Sequence, residues 1–267
     1  MNIDVLTGLN TRGDGLSCED VYLSDGEKKI QRNTFIYGEK FNLNFNNIEG
    51  FKKIEDFAFP GMQLSVINQA GDTVLKNNDL YAEYTDGINL TPLLLKTNLT
   101  VADPIHSLNE YTLQINIWDK KGGGIFKARL DFDVVPNDQI IIESRDASYD
   151  EIYLFSGNSN SVITGSDASF NETVYMLFEG LEGFKHEGGM VRFGLSIVAS
   201  DAEGEMILNE EDLIGDEGME LSEFTSQIAP NFSINDPNVK NPVQCDIIIW
   251  DKNSESRIKA SAKLNLK

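Results

Sequence analysis

The chain has 267 residues, of which 40% are hydrophobic, and a formal net charge of −21. Its length suits two domains of about 130 residues, each large enough to hold a hydrophobic core. The charge argues against direct binding to nucleic acid or to an anionic membrane, since phosphate groups would be repelled. No stretch of about 18 apolar residues occurs, so the sequence predicts no membrane span.

The acidic residues are unevenly distributed along the chain. Residues 1–135 contain 13 basic and 19 acidic side chains, whereas residues 136–267 contain 9 and 24. Solubility is the simplest reason for so high a charge. A basic partner protein and divalent cations are the two alternatives.

The chain contains an internal repeat. Residues 48–52 read Ile-Glu-Gly-Phe-Lys and residues 181–185 read Leu-Glu-Gly-Phe-Lys, while Ile-Trp-Asp-Lys occurs at both 117–120 and 249–252. Weaker pairs keep the same order, including residues 64–67 with residues 195–198. A repeat of this length matches one compact domain and not a solenoid unit. We therefore predict two domains, residues 1–136 and 137–267.

Short alternating stretches predict antiparallel strands throughout the first copy. Residues 41–45 read Phe-Asn-Leu-Asn-Phe, and residues 113–117 read Leu-Gln-Ile-Asn-Ile. Clusters of Gly, Asn and Asp separate the strands at intervals of about ten residues, as in β-sandwiches. The predicted strands lie near residues 2–6, 20–24, 35–45, 62–68, 73–76, 89–100, 111–119 and 125–135.

The second copy shows the same alternation. The predicted strands lie near residues 139–144, 151–155, 161–165, 170–179, 190–199, 205–208, 219–230, 243–251 and 257–266. Helix signals are weak, and they predict one short helical turn at the same place in each copy, residues 77–81 and 209–213.

Two tryptophans occupy matching positions near the end of each copy. Trp118 and Trp250 both end the second-last predicted strand. Core packing is the favoured interpretation, because no other side chain buries as much area. An exposed ligand platform is the alternative, since tryptophan is also enriched at binding sites.

The repeated turn residues are candidate binding residues. Gly50 and Gly183 predict a turn with positive φ, flanked by Glu49 and Lys52 in one copy and by Glu182 and Lys185 in the other. A structural turn is the favoured interpretation, and a loop that presents these charges to a partner is the alternative.

Acidic residues at strand ends raise the question of calcium binding. Asp119 and Asp251 each follow a repeated tryptophan. A denser acidic group lies in the second copy, and hard cations are held by such oxygens. No Asp-x-Asp-x-Asp-Gly loop is present, so a solvated acidic loop is the favoured interpretation. The candidate calcium ligands are Glu210, Glu211, Asp212, Asp216 and Glu217.

Catalytic motifs are missing from the sequence. There is no Gly-x-Ser-x-Gly elbow, phosphate-binding loop or dinucleotide glycine pattern. The two histidines, His106 and His186, are too few for most metal or triad chemistry. We therefore predict a protein that is not an enzyme and that needs no cofactor, with calcium as the one alternative.

The strand number, the Greek-key length of the connections and a late tryptophan in each half resemble tandem immunoglobulin-like modules. The richness of the chain in Asn, Lys and Ile resembles modules of bacterial surface and periplasmic proteins. The resemblance implies an all-β fold of two tandem immunoglobulin-like antiparallel β-sandwiches that arose by internal duplication. The chain departs from antibody domains, because its tryptophan lies in a different strand and a paired cysteine is missing. Cys18 and Cys245 have no counterparts in the other copy.

We predict a non-enzymatic protein-binding or scaffold component of a larger assembly, with a bacterial cell envelope as the expected setting. A partner strand would add to a sheet edge at residues 89–100 or 219–230. One alternative is a carbohydrate-binding module in which Tyr81, Tyr84 or Trp118 stacks on sugar rings, and another is an acidic inhibitor or immunity-type protein. Residues 1–5 lack the features of a secretory signal. A cytoplasmic protein and a periplasmic or cell-surface protein whose signal was removed both remain open.

Overall fold

The computed structural model describes residues 2–267, which divide into two compact units. The first unit ends at Val135 and the second begins at Pro136. The fold is all-β, with antiparallel sheets in both units and, among the described residues, a single short α-helix, α1 (Leu221–Ser226).

The strands of the first unit are given in chain order. They are β1 (Asn2–Ile3), β2 (Asn10–Asp14), β3 (Ser17–Ser24), β4 (Lys29–Ile30), β5 (Thr34–Ile36), β6 (Lys40–Glu49), β7 (Pro60–Asn68), β8 (Thr73–Asn77), β9 (Leu95–Thr100), β10 (Asn109–Asp119) and β11 (Ile125–Val135).

The strands of the second unit follow, with α1 between β21 and β22. They are β12 (Ile140–Arg145), β13 (Glu151–Ser156), β14 (Ser161–Val162), β15 (Asp167–Ala168), β16 (Val174–Glu179), β17 (His186–Glu187), β18 (Met190–Val191), β19 (Phe193–Ser200), β20 (Met206–Glu210), β21 (Met219–Glu220), β22 (Gln227–Ile228), β23 (Asn231–Phe232), β24 (Val243–Asp251) and β25 (Arg257–Leu266).

Each unit has one larger and one smaller main sheet. In the first unit the larger sheet has the order β1-β2-β11-β10-β7-β8, and the smaller has the order β4-β3-β6-β9. In the second unit the corresponding orders are β12-β25-β24-β19-β20 and β14-β13-β16-β22, with β23 also paired to β16. A short strand lies parallel to the last strand of each unit, β5 against β11 and β15 against β25.

The core of the first unit lies between its two sheets. Alternate residues of β6 and β11 are buried, which places one face of each sheet against the other. Phe41 of the smaller sheet contacts Phe132 of the larger at 6.3 Å between ring centroids, and Phe45 contacts Phe126 at 6.1 Å. These contacts across the sheets give the unit its β-sandwich character.

The core of the second unit is built in the same way, with one addition. Alternate residues of β24 are buried, and Phe178 of the smaller sheet joins the same cluster. The helix α1 contributes Phe224, whose ring lies 4.9 Å from that of Phe193 and 4.8 Å from that of Phe184. The helix is thus held by one buried aromatic side chain.

Several predicted elements are wrong. Residues 77–81 and 209–213 form no helix; each segment is the end of an edge strand followed by a turn. The predicted strand at 219–230 is replaced by α1 between very short strands, because Phe224 reaches the core from a helical turn. The strand predicted at 89–100 spans only Leu95–Thr100, and β2 was missed.

The predicted alignment of residues 64–67 with residues 195–198 is out by two residues. Gly61 faces Trp118 across the sheet, and Gly194 faces Trp250. The irregularities in strand pairing after Val66 and after Ala199 also correspond at an offset of 133 residues. A two-residue error is easily made in a strand, because it leaves the same side chains facing inward.

Candidate functional site

The residues kept in both copies gather around the turn after the second-last strand of each unit, which we call the strand-end turn. In the first unit it consists of residues 49–52 and 118–124, and in the second of residues 182–185 and 250–256. Its centre is a buried aspartate, with Asp119 exposed to 5% and Asp251 to 3%. A buried carboxylate requires several hydrogen-bond donors, and the turn supplies them.

Asp119 joins two separate loops of the first unit. Its Oδ2 accepts a hydrogen bond of 2.7 Å from the backbone N–H of Lys52, and its Oδ1 accepts one of 2.9 Å from that of Lys121. Its own N–H donates to the carbonyl of Gly124 at 3.0 Å. The loop after β6 is therefore tied to the hairpin between β10 and β11.

Asp251 makes the same bonds in the second unit. Its Oδ2 accepts from the backbone N–H of Lys185 at 2.7 Å, its Oδ1 accepts from that of Asn253 at 2.8 Å, and its N–H donates to Ser256 at 2.9 Å. Burial alone would raise the pKa of Asp251, but hydrogen bonds from the Ser254 hydroxyl and these two N–H groups together hold it below its ordinary value.

The repeated glycine of the turn is required by its surroundings. Gly50 has φ 97° and Gly183 has φ 88°, a region that L side chains rarely adopt. A Cβ atom at Gly50 would lie 2.2 Å from the carbonyl oxygen of Gly15, and one at Gly183 would lie 2.4 Å from that of Asp146. The predicted structural role of both glycines agrees with this geometry.

The two tryptophans cover glycines and do not anchor the core. Trp118 and Trp250 are half-buried on the outward face of their sheets, while the residues on either side of them point inward. A Cβ atom at Gly61 would lie 2.1 Å from Cε2 of Trp118, and one at Gly194 would lie 2.0 Å from Cζ2 of Trp250. The favoured interpretation as core anchors was wrong, because it ignored the alternation of inward and outward residues.

A repeated ion pair stands beside each strand-end turn. Lys120 Nζ lies 2.7 Å from Asp79 Oδ2, and Lys252 Nζ lies 2.7 Å from Asp212 Oδ2. Burial would raise the pKa of both aspartates, but the bond from the lysine and several backbone N–H groups lower it. Both lysines belong to the repeated Ile-Trp-Asp-Lys segment, but the sequence comparison did not predict the pairing.

The candidate calcium ligands in the acidic loop of the second unit do not lie together in one cluster. Asp212 is already engaged by Lys252 and accepts hydrogen bonds from the backbone N–H groups of Ile214 and Gly215. Residues 2–267 contain no group of three or more His, Cys, Asp or Glu side chains that could hold a metal ion. The remaining predicted calcium ligands are exposed to solvent, namely Glu210, Glu211, Asp216 and Glu217.

The other predicted binding residues lie at the rim of the turns. The side chains of Glu49, Lys52 and Glu182 are exposed, and Lys185 Nζ donates to the carbonyl of Asn253 at 3.0 Å. These residues thus stay candidates for a partner contact, whereas the aspartates are occupied by the fold.

The cysteines are free thiols with little reactivity. Burial raises the pKa of Cys18 to about 11 and that of Cys245 to about 12. A thiol that stays protonated at neutral pH is a poor nucleophile.

Among residues 2–267, none of the helical segments has the length and apolar character needed to span a membrane.

No family model matches the chain, and no characterised protein matches it by sequence. Many solved structures are similar to the chain, and three of them match most of its length. They are a β-glucuronidase from Bacteroides uniformis (9% identity, 84% of this chain and 26% of that chain, TM-score 0.28), the D1–D4 ectodomain fragment of ICAM-5 (10%, 93% and 54%, TM-score 0.23) and a protein named pT26-6p (9%, 97% and 63%, TM-score 0.27). The chain spans about a quarter to less than two thirds of these structures, and similarity at this level identifies no family.

The substitution Gly61→Ala tests whether the ring of Trp118 packs directly on Gly61. In a Trp250→Phe background, where Trp118 is the only tryptophan, we expect Gly61→Ala to displace the ring, shift its emission to longer wavelength and lower stability by roughly 1–3 kcal/mol. The matched control is Gly123→Ala, since a Cβ there meets no atom within 4 Å. Unchanged emission and stability in Gly61→Ala would refute the described packing.

The lowered pKa of Asp251 predicts an acid dependence of stability. Because the folded state binds this proton more weakly than the unfolded state, the contribution is complete above the ordinary value of 3.8 and is lost as the pH falls through the lower folded value. We expect Asp251→Asn to cost about 1–3 kcal/mol at pH 7. Urea denaturation should show the difference narrowing in acid. Exposed Asp216→Asn is the control, and a pH-independent difference would contradict the assignment.

Proposed function

We propose that the chain consists of two tandem immunoglobulin-like β-sandwiches that arose by duplication, and that it acts as a non-enzymatic protein-binding or structural component of a larger assembly. The equivalence of the two units supports the duplication. Their larger sheets correspond strand by strand, β2 to β12, β11 to β25, β10 to β24, β7 to β19 and β8 to β20. The strand-end turn, the glycine beneath the tryptophan and the aspartate–lysine pair recur with nearly equal distances.

The distribution of strands between the sheets supports an immunoglobulin-like topology. In the first unit β3, β6 and β9 share one sheet, while β7, β10 and β11 share the other and β8 extends it. This arrangement matches the separation of A, B and E strands from C, F and G strands in immunoglobulin-like domains, with an added C′ edge. The second unit divides its strands in the same way.

The hydrogen bonds and ion pairs of the repeated aspartates support a function without catalysis. Asp119 and Asp251 each accept hydrogen bonds from two backbone N–H groups, and Asp79 and Asp212 are bound by lysines. A general acid, base or nucleophile needs an unoccupied group that faces a substrate. The buried charges that both copies retained are used to hold turns in place.

The two sheet edges predicted to accept a partner strand, residues 89–100 and 219–230, are poorly suited to that role. At β9 the Tyr81 hydroxyl accepts a hydrogen bond of 3.0 Å from the N–H of Lys96 and donates to its carbonyl at 3.1 Å. Tyr81 is therefore buried and engaged, and it is not the sugar-stacking residue that the sequence suggested. The predicted edge at 219–230 is interrupted by α1.

The proposal of a partner-binding edge rests on β12, the edge strand of the larger sheet in the second unit. Among the described strands β12 pairs only with β25, and its Ile141 is exposed to 66%, whereas Ile140 is buried and Ile142 is partly buried. The equivalent strand of the first unit, β2, has β1 paired to its outer edge. An uncovered apolar edge is the kind of surface to which a partner strand adds.

The proposal is tested by capture of a partner from the native source. We expect a protein retained by the wild type to be retained by Met206→Lys, on the opposite edge strand, and by Ile141→Val, but to bind at least ten-fold more weakly to Ile141→Lys. Both lysine substitutions replace exposed side chains, so stability should change little.

Hydrogen exchange completes the experiment. The purified partner should slow exchange of the backbone amides of residues 140–145. A partner held equally by all four proteins, with unchanged exchange in β12, would disprove strand addition at this edge. Turnover of a small molecule by the purified chain would disprove the non-enzymatic assignment.

A further inference from the structure

The outward face of the larger sheet in the first unit contains a polar groove of about 400 Å³. We call it the amide groove, because hydrogen-bonding side chains of β2, β7, β10 and β11 line it. Those that matter here are Arg12, Gln63, Ser65, Gln114, Asn116 and Lys127. It lies on a sheet face, away from the β12 edge discussed above.

Two positive charges meet in the groove without compensation. Arg12 is the direct cross-strand neighbour of Lys127, and neither forms an ion pair with any described carboxylate. Their neighbour Arg129, by contrast, lies 2.9 Å from Asp131. Like charges directly opposite each other destabilise a sheet. In a chain of net charge −21, an unneutralised cationic pair indicates a place for an anion.

An unsatisfied polar atom lies beside this pair. Oδ1 of Asn116 is the buried side-chain atom that lacks a hydrogen-bond partner among the described residues. Leaving such a group unpaired costs about 1–3 kcal/mol. The residue is half-buried, and the terminal torsion of asparagine is broad, so the amide can turn towards a ligand.

The second unit lacks each of these features. The positions equivalent to Arg12 and Lys127 are Glu143 and Lys259, which carry opposite charges. Lys259 also pairs with Asp246 at 2.9 Å, and the position of Asn116 is taken by Ile248, which has no polar side-chain atom. The two copies thus share their turns but differ at these positions, and the cross-strand pair of Arg12 with Lys127 and the unpaired oxygen of Asn116 belong to the first unit.

We propose that the amide groove binds an acidic oligosaccharide. Its carboxylate lies between Arg12 and Lys127, and its hydroxyls bond to Gln63, Gln114 and Asn116, since amides both donate to and accept from hydroxyl groups. Trp118 stands two residues beyond Asn116 on the same face. A peptide is disfavoured, because a sheet face offers no backbone groups for strand pairing. The remaining negative charge is largely screened beyond about 8 Å at physiological ionic strength.

Calorimetric titration of the full chain with tetragalacturonate tests the proposal. We expect binding by the wild type and at least a ten-fold loss in the double variant Arg12→Gln/Lys127→Gln. Asn116→Ile, which copies the second unit, should also bind at least ten-fold more weakly but be as stable as the wild type or more so, because it removes an unpaired buried oxygen. Lys263→Gln, an exposed cation on the equivalent sheet of the second unit, is the control and should bind normally.

Four outcomes would overturn the inference. They are no binding by the wild type, equal binding of neutral maltotetraose, equal binding of a tetraglutamate peptide, and loss of stability in Asn116→Ile. None of them bears on the β12 edge, so failure of this inference and failure of the proposed function are separate results.

Discussion

Both units depend on the hydrogen bonds that the buried aspartate at the end of the second-last strand accepts from backbone N–H groups. A carboxylate in a buried position is tolerated only when donors surround it. Asp119 and Asp251 obtain these donors from backbone N–H groups of two loops that are far apart in sequence. The aspartate therefore fixes the path of the loop between the sheets, and the glycine in that loop is needed because another carbonyl lies against it.

This constraint explains which residues the two copies kept. The Glu-Gly-Phe-Lys and Ile-Trp-Asp-Lys segments are the two sides of one turn, and a change on either side leaves a buried carboxylate or N–H without its partner. Outward residues away from the tryptophan–glycine contact are under no such constraint, as the exchange of Asn116 for Ile248 illustrates. The strand-end turn is thus common to both units. The two binding surfaces that we propose, the β12 edge and the amide groove, each belong to one unit.

The all-β class and most strands could be predicted from the sequence, because alternation of apolar and polar residues reflects burial of one sheet face. Features that depend on tertiary contacts could not. The pairing of Asp79 with Lys120 brings together residues of an edge turn and a strand-end turn, and no local pattern signals it. The bond from the Tyr81 hydroxyl to Lys96 likewise joins a turn to a strand 15 residues away. The outward position of Trp118 could have been predicted from the alternation of residues in β10. Core packing was predicted instead, because the tryptophan side chain is so large.

The most direct test of the account is hydrogen exchange at the backbone amides of Lys52 and Lys185 in the wild type and in Asp119→Ala. Both residues have exposed side chains, yet both amides bond to a buried carboxylate. The account predicts slow exchange of both amides in the wild type, and fast exchange of Lys52 alone in the variant. Fast exchange of either amide in the wild type, or loss of protection at both in the variant, would contradict it.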